Sequence, residues 1–247
     1  MDMKKYSIIL LVLFVALCSV AQQPSDSIAN DICRFAKQQD ALSVEEVADV
    51  TRRWVNAIPQ EDLFAYAAQA SKVLYPVYST HKGRMAYRVL LERLLQSGGD
   101  EWALMRYKYM YESLSRNNEG DEACDFVYYD KEGNEHTLHS HKGHQTLVIF
   151  NDPECEECAA LCRHIATAGE LGGEVIDSTT HVLLIYPDEP TDAWRKAVSR
   201  YPDTWFVGYA QDVSDLYDLR TLPSTYLLDA SHHILLRDEH LYITERE

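Results

Sequence analysis

The sequence predicts an all-α helical domain followed by an α/β domain, and three observations carry that division. Apolar residues recur every three and four positions from Ser25 to about Arg116, the period of helices with one buried face. The stretch SRNNEGDEA, residues 115–123, then interrupts the pattern with polar residues and a glycine, the composition of a boundary between domains. Past it, short runs rich in β-branched and aromatic residues alternate with helical segments, the pattern of an α/β or α+β domain.

Within the first half, Val44, Val47, Val50, Trp54, Val55 and Ile58 form one helical stripe, and Ser43 with Glu46 makes a capping box that fixes its start. Further helices are expected over residues 61–78, 82–96 and 100–115, separated by Pro59, His81-Lys82-Gly83 and Ser97-Gly98-Gly99; short connections of this kind join the helices of a bundle. Tyr66, Tyr75, Tyr78, Tyr87, Tyr107, Tyr109 and Tyr111 stand out here. At helical spacing they read as core packing rather than as the lining of a ligand groove.

The second half begins with a hairpin, residues 126–129 and 135–138 around Asp130-Lys131-Glu132-Gly133-Asn134. A buried strand follows at 146–150 and a helix starts near Cys155. Then come a strand at 181–186, a helix at 191–200, a short strand at 205–207 and a closing pair of strands at 225–228 and 234–237.

A formal charge of −16 over 247 residues argues against nucleic-acid binding, because gripping phosphates needs a basic surface. The N-terminus, MDMKKYSIILLVLFVALCSVAQQ, sets Lys4 and Lys5 before an apolar run and ends it at Ser19-Val20-Ala21. This is the form of a secretory signal over residues 1–21. The run is shorter than the roughly 20 apolar residues of a spanning helix, and lipidation at Cys18 is disfavoured by the bulky Leu17 before it. The expected product is an exported, periplasmic chain with no membrane span after signal cleavage. It retains Cys33, Cys124, Cys155, Cys158 and Cys162, an odd number that leaves at least one thiol unpaired in an oxidising compartment.

Three of these cysteines fall in FNDPECEECAALCRHI, residues 150–165. Residues three apart on a helix are neighbours, so Cys155 and Cys158 meet the Cα separation of about 4.4–6.8 Å that a disulfide requires. The first cysteine sits where free backbone N–H groups and the helix dipole favour a thiolate, the attacking species in disulfide exchange. The second lies one turn in, shielded, where it can resolve a mixed disulfide.

The segment ACDFVYYDKEGNEHTLHSHKGHQTLVIFNDPECEEC resembles the opening of exported thioredoxin-like thiol–disulfide oxidoreductases of the TlpA/ResA type. Asp125, Phe126, Asp130, Gly133, Lys142, Gly143, the strand 147–150, Cys155 and Cys158 match the pattern. LRTLPSTYLLDASHHILLRD, residues 219–238, is similar to the family's second signature, in which a cis-proline, here Pro223, faces the cysteine pair. The resemblance implies a central mixed sheet flanked by helices over residues 119–247. It also implies Cys155 as attacking thiol, Cys158 as resolving thiol, and Leu222 beside Pro223 contacting the substrate backbone. No cofactor is implied beyond the redox-active disulfide Cys155–Cys158. The implied partners are proteins bearing thiols or disulfides and a redox partner. Residues 22–118 resemble the helical modules of unknown function that precede such domains in some exported bacterial proteins.

Departures from the family are equally specific. Glu154 replaces the usual aromatic residue before the first cysteine, and Glu156 and Glu157 fill the gap between the two. Three carboxylates oppose a thiolate at Cys155, so a sluggish nucleophile and a disulfide resistant to reduction are expected. Ile149 stands where many thioredoxins carry a buried acid, and EHLYITERE replaces the closing helix. These features keep a second reading open, a non-catalytic binding or scaffold protein with a structural Cys155–Cys158 disulfide. Metal readings also exist on paper: Cys155, Cys158, Cys162 and His164 as an S₃N set, or His136, His139, His141 and His144 in HTLHSHKGH. The first is crowded within two helical turns and the second reads better as solvated loop histidines, so no metal is expected. Cys162 reads as a small core residue of the helix, and a Cys33–Cys124 staple between the domains is a further option.

Overall fold

The computed structural model describes residues 24–39, 41–76, 79–171 and 174–237. The proposed signal segment, Cys18, Tyr78 and the EHLYITERE tail lie outside them. Among the described residues five α-helices precede the strands: α1 Pro24–Gln39, α2 Val44–Ala57, α3 Leu63–Val73, α4 His81–Gln96 and α5 Glu101–Leu114. The capping box of α2 forms as expected, with Ser43 accepting from the Glu46 amide and Glu46 accepting from the Ser43 amide. Val47, Val55 and Ile58 of its stripe are buried, whereas Val44 is 43% exposed. Ile32, Phe35, Leu63, Ala67, Leu74, Tyr75, Tyr87, Leu90, Leu91, Tyr107 and Leu114 fill the core between these helices. Tyr75, Tyr87 and Tyr107 are therefore core residues, Tyr66 donates to Asp31, and Tyr109 faces solvent.

The helix expected over 61–78 is shorter. A 3-10 turn, Gln60–Asp62, precedes it, and α3 ends at Val73 because Tyr75 stands before Pro76, whose ring disfavours helical backbone in the preceding residue. Thr80 then caps α4, and Gly83 is required there. A Cβ at that position would meet the Leu74 carbonyl oxygen at 2.5 Å, so only glycine lets α4 cross the end of α3 this closely.

Beyond residue 120 the chain forms β1 Val127–Asp130, β2 Glu135–Thr137, β3 Thr146–Phe150, α6 Glu156–Ala168, β4 Glu170–Leu171, β5 Glu174–Val175, β6 His181–Tyr186, α7 Asp192–Ala197, β7 Phe206–Tyr209, β8 Ser224–Leu228 and β9 Ile234–Arg237. Seven strands make one mixed sheet in the order β2-β1-β7-β6-β3-β8-β9. β3 runs parallel to β6 and β6 to β7, while β8 is antiparallel to both β3 and β9. All five residues of β3 are buried, so it is the central strand, and its side chains alternate between two cores. Val148 and Phe150 join Phe126, Tyr128, Tyr217 and Tyr226 on one face. Leu147 and Ile149 join Leu161, Cys162, Ile165 and Leu184 on the other, under α6. Each such side chain contributes about 1.5–3 kcal/mol of burial free energy.

Several boundaries moved by a residue or two. The helix expected over 191–200 is α7 followed by a 3-10 turn, Val198–Arg200, that leads to Pro202, and the strand expected at 205–207 lies at Phe206–Tyr209. The β4–β5 hairpin leaves no signal in the sequence, since two-residue strands are too short to show a period. All five cysteines among the described residues are free thiols, so neither a Cys33–Cys124 staple nor a Cys155–Cys158 bond is formed in this structure.

After α5 the chain is fastened by Glu119, which accepts hydrogen bonds from His81 and from the buried Arg84, both on α4. Burial raises the Glu119 pKa, but the His81 hydrogen bond and the nearby Arg84 and His81 charges outweigh it and bring the carboxyl to about 2. A folded-state pKa below the unfolded one means the stabilisation is complete above about pH 4.5 and is lost as pH falls towards 2. Glu119→Gln should cost about 2–3 kcal/mol at pH 7. In urea melts the gap between wild type and variant should narrow below pH 4.5.

Candidate functional site

β3 ends at the edge of its two cores, and the chain leaves it through residues 151–155 into α6. Asn151 donates its amide to the Ile185 carbonyl at 2.9 Å and its side-chain NH₂ to Tyr201 Oη at 3.1 Å. Asp152 then builds a local turn, its carboxylate accepting from the Glu154 amide and its carbonyl from the Cys155 amide. Cys155 is the N-cap of α6, and its Sγ accepts the Cys158 amide at 3.1 Å. A cap position usually holds an oxygen acceptor. Sulfur in this place stands where the unpaired N–H groups of the helix end converge.

Residue 222 reaches the same point from 67 positions further along the chain. The Leu222–Pro223 peptide is cis, and the Leu222 carbonyl oxygen lies 3.6 Å from Cys155 Sγ. β8 begins at once after Pro223, with Ser224 opposite Phe150, so the ends of β3 and β8 bring the two segments together. Cys155, Cys158, Leu222 and Pro223 thus share one location.

The thiols differ sharply. Cys155 is partly exposed, while Cys158 is 1% exposed. Burial, reinforced by the hydrogen bond from Cys155, pushes the Cys158 thiol well above its ordinary range. Cys162 lies in the core under α6, and burial pushes it up to about 12. Ile149 is fully buried in the same core, so no acid stands beneath the pair at that position.

The three glutamates separate in space. All are exposed, but Glu157 alone reaches back, its Oε2 3.7 Å from Cys155 Sγ. Glu156 and Glu157 occupy the first turn of α6, where negative charge stabilises a helix. Glu154, with Asp152 and Asp188, faces Tyr186, whose hydroxyl is raised by burial first and by those carboxylates second.

Neither metal set assembles. Among the described residues no three His, Cys, Asp or Glu side chains converge as a metal ion needs. The loop histidines do not share one point: His136 goes to Asp130, His139 to the Ala123 carbonyl, and His141 to Tyr128 and His181, on which His144 also stacks.

No protein-family model and no curated protein matches the chain. Among solved structures, a thioredoxin-like protein from Bacteroides caccae is similar over 90% of this chain and 83% of its own, with a TM-score of 0.77 at 23% identity. The chain has a thioredoxin-like fold. The C-terminal domain of an uncharacterized protein from Bacteroides fragilis shares 32% identity over 51% of this chain and 92% of its own, with a TM-score of 0.45. The thioredoxin domain of a thiol-disulfide oxidoreductase from Bacteroides vulgatus shares 23% over 48% and 86%, with a TM-score of 0.38. Because the Bacteroides caccae match spans both halves, the likeness extends to the helices that precede the thioredoxin-like sheet.

Sequence reasoning missed two parts of this site. Asn151 and Tyr201 tie the cysteine loop to the segment after α7, and Asp218 with Arg220 anchors the segment leading to Pro223. The nearby pair Asp218-Leu219-Arg220 was a local signal for the second; its distant partners left none.

In the reduced protein, iodoacetamide should label Cys155 and the exposed Cys33 within minutes and leave Cys158 and Cys162 unmodified until unfolding, as read by peptide mass mapping. Glu157→Gln should speed labelling of Cys155 about two- to threefold at low salt, an advantage that shrinks as salt screens the carboxylate.

Proposed function

We propose that this chain is an exported thiol–disulfide oxidoreductase working through Cys155 and Cys158. The observation that carries the reading is a partly exposed sulfur at a helix N-cap, 3.1 Å from the Cys158 amide and 3.6 Å from the Leu222 carbonyl beside Pro223. An inert staple has no need of a backbone carbonyl held beside one of its sulfurs.

In the reducing direction, the Cys155 thiolate attacks one sulfur of a substrate disulfide. A Cys155–substrate bond forms and the other substrate sulfur leaves as a thiolate that takes up a proton. Cys158 then loses its proton and attacks Cys155 Sγ, closing the Cys155–Cys158 disulfide and releasing the second substrate thiol. The substrate gains two electrons and the pair loses them, so a dithiol partner must restore the pair. Leu222 offers main-chain groups to an extended substrate segment, in the manner of strand addition. The raised pKa of Cys158 keeps it a thiol while the substrate is attacked, so the second attack, which closes the pair and releases the substrate, waits on loss of that proton. Export rests on the N-terminal signal pattern. Among the described residues no helix is long and apolar enough to cross a membrane.

The second reading, a scaffold with a fixed disulfide, is favoured by Glu157 at 3.7 Å from the sulfur and by Ile149 beneath the pair. An insulin-reduction assay separates the two. Wild type should accelerate precipitation with dithiothreitol as electron donor, Cys155→Ser should fall to the uncatalysed rate, and Cys158→Ser should accumulate a mixed disulfide visible by mass. Equal rates for wild type and Cys155→Ser would sink the oxidoreductase reading.

A further inference from the structure

The helical half has so far no part in the chemistry, yet its contacts with the sheet half concentrate on the segment that ends at Leu222–Pro223. Between the 3-10 turn Val213–Asp215 and β8 this segment has no strand ladder to fix it. Its position depends on side-chain tethers. Arg116 and Asn117, just after α5, donate to the Asp215 and Leu216 carbonyls at 2.7 and 3.0 Å. Tyr75, just after α3, donates its hydroxyl to the Asp218 carboxylate. Arg220 lies with its guanidinium 3.4 Å over the Tyr75 ring and also donates to the Tyr75 carbonyl.

Asp218 is the hub of these tethers. Its side chain is 4% exposed. Arg220 Nε reaches its two oxygens at 2.9 and 3.2 Å, and Arg237 of β9 reaches it at 3.2 Å. Burial raises the carboxyl's pKa, but the bonds from Arg220 and Tyr75 and the charge of Arg237 outweigh that and keep it ionised. A buried charge held by several donors has one low-energy position, and removing a donor leaves it under-satisfied and free to shift. Its own carbonyl accepts from Ser224 at 3.4 Å, at the first residue of β8. Tyr75 therefore acts four residues away from a carbonyl that stands 3.6 Å from Cys155 Sγ.

We propose that the helical half is a brace for the Leu222–Pro223 loop and that Tyr75 is a positioning residue for disulfide exchange, setting where the substrate backbone is received beside Cys155. The proposal rests on the oxidoreductase reading and gives the helices a task within it. Misplacing a binding group by about 1 Å is enough to weaken a positioned reaction severely. Cys155 and Cys158 themselves are fixed by α6 and β3, which Tyr75 does not touch. Loss of the brace is thus expected to affect how substrate is bound and not the redox balance of the pair.

Tyr75→Phe in the full chain tests this, because it removes the hydroxyl and keeps the ring packed against Tyr87 and under Arg220. Arg220→Gln, half-exposed and on the loop itself, is the second variant. Three quantities are measured: hydrogen exchange over residues 216–224, kcat and KM for a disulfide-bearing peptide, and the reduction potential of the cysteine pair. The brace predicts faster exchange in that segment with residues 146–150 unchanged. It also predicts a KM raised about three- to tenfold, kcat within about twofold, and an unchanged potential. Unmoved loop exchange overturns the proposal, as does a loosened loop with wild-type KM or a loss of activity that tracks only the folded fraction in a thermal melt. Wild type that reduces no disulfide sinks the oxidoreductase reading and the brace with it, whereas active wild type with an indistinguishable Tyr75→Phe variant sinks the brace alone.

Discussion

Antiparallel pairing of β3 with β8, Thr146 opposite Leu228 through to Phe150 opposite Ser224, is the constraint on which the site depends. Because side chains alternate along a strand, this register is enforced by burial. A slip of one residue would turn Leu147 and Ile149 out from under α6 and drive Val148 and Phe150 in. The same register leaves both strands ending at one edge, so the cysteine loop and the proline loop emerge side by side. The closeness of Cys155 to Leu222 is a consequence of core packing, bought far from the chemistry.

Given that placement, the two cysteines acquire different characters from position alone. Cys155 stands outside the first turn of α6, where backbone N–H groups are available to it, and Cys158 is carried one turn inward to the buried face. Cys162 is four residues further and joins the core, so a third thiol lies near the pair without the exposure of Cys155. The glutamates that crowd the motif in sequence spread over the surface in space, with Glu157 alone turned towards the sulfur. Their concentration at the start of α6 matches what a helix N-terminus favours, which reconciles an acidic motif with a stable helix.

The layout was largely legible in the residues. Period and capping placed α2, an unbroken apolar run placed β3, spacing paired Cys155 with Cys158, and the resemblance to thioredoxin-like proteins implied that Pro223 faces them. What escaped was long-range or too short to carry a signal. Pro76 cut α3 before its expected end, a local rule outweighed by the run of helix-forming residues before it. Strands β4 and β5 are two residues each. The pairing of Tyr75 with Asp218 joins positions 143 apart, and no pattern in either neighbourhood announces it. Of the histidines grouped in sequence as a metal candidate, His136 and His139 turn to separate partners on the β1–β2 hairpin and before it, while His141 and His144 both meet His181.

The central claim is that Cys155 and Cys158 form one redox couple, with Cys162 a bystander. A titration of the purified protein across glutathione or dithiothreitol buffers, with the disulfide in each sample located by peptide mapping, tests it most directly. The account predicts a single two-electron transition in which the Cys155–Cys158 bond alone appears and disappears. A pair that stays as two thiols under oxidising buffer, or an oxidised form linked through Cys162, would contradict it.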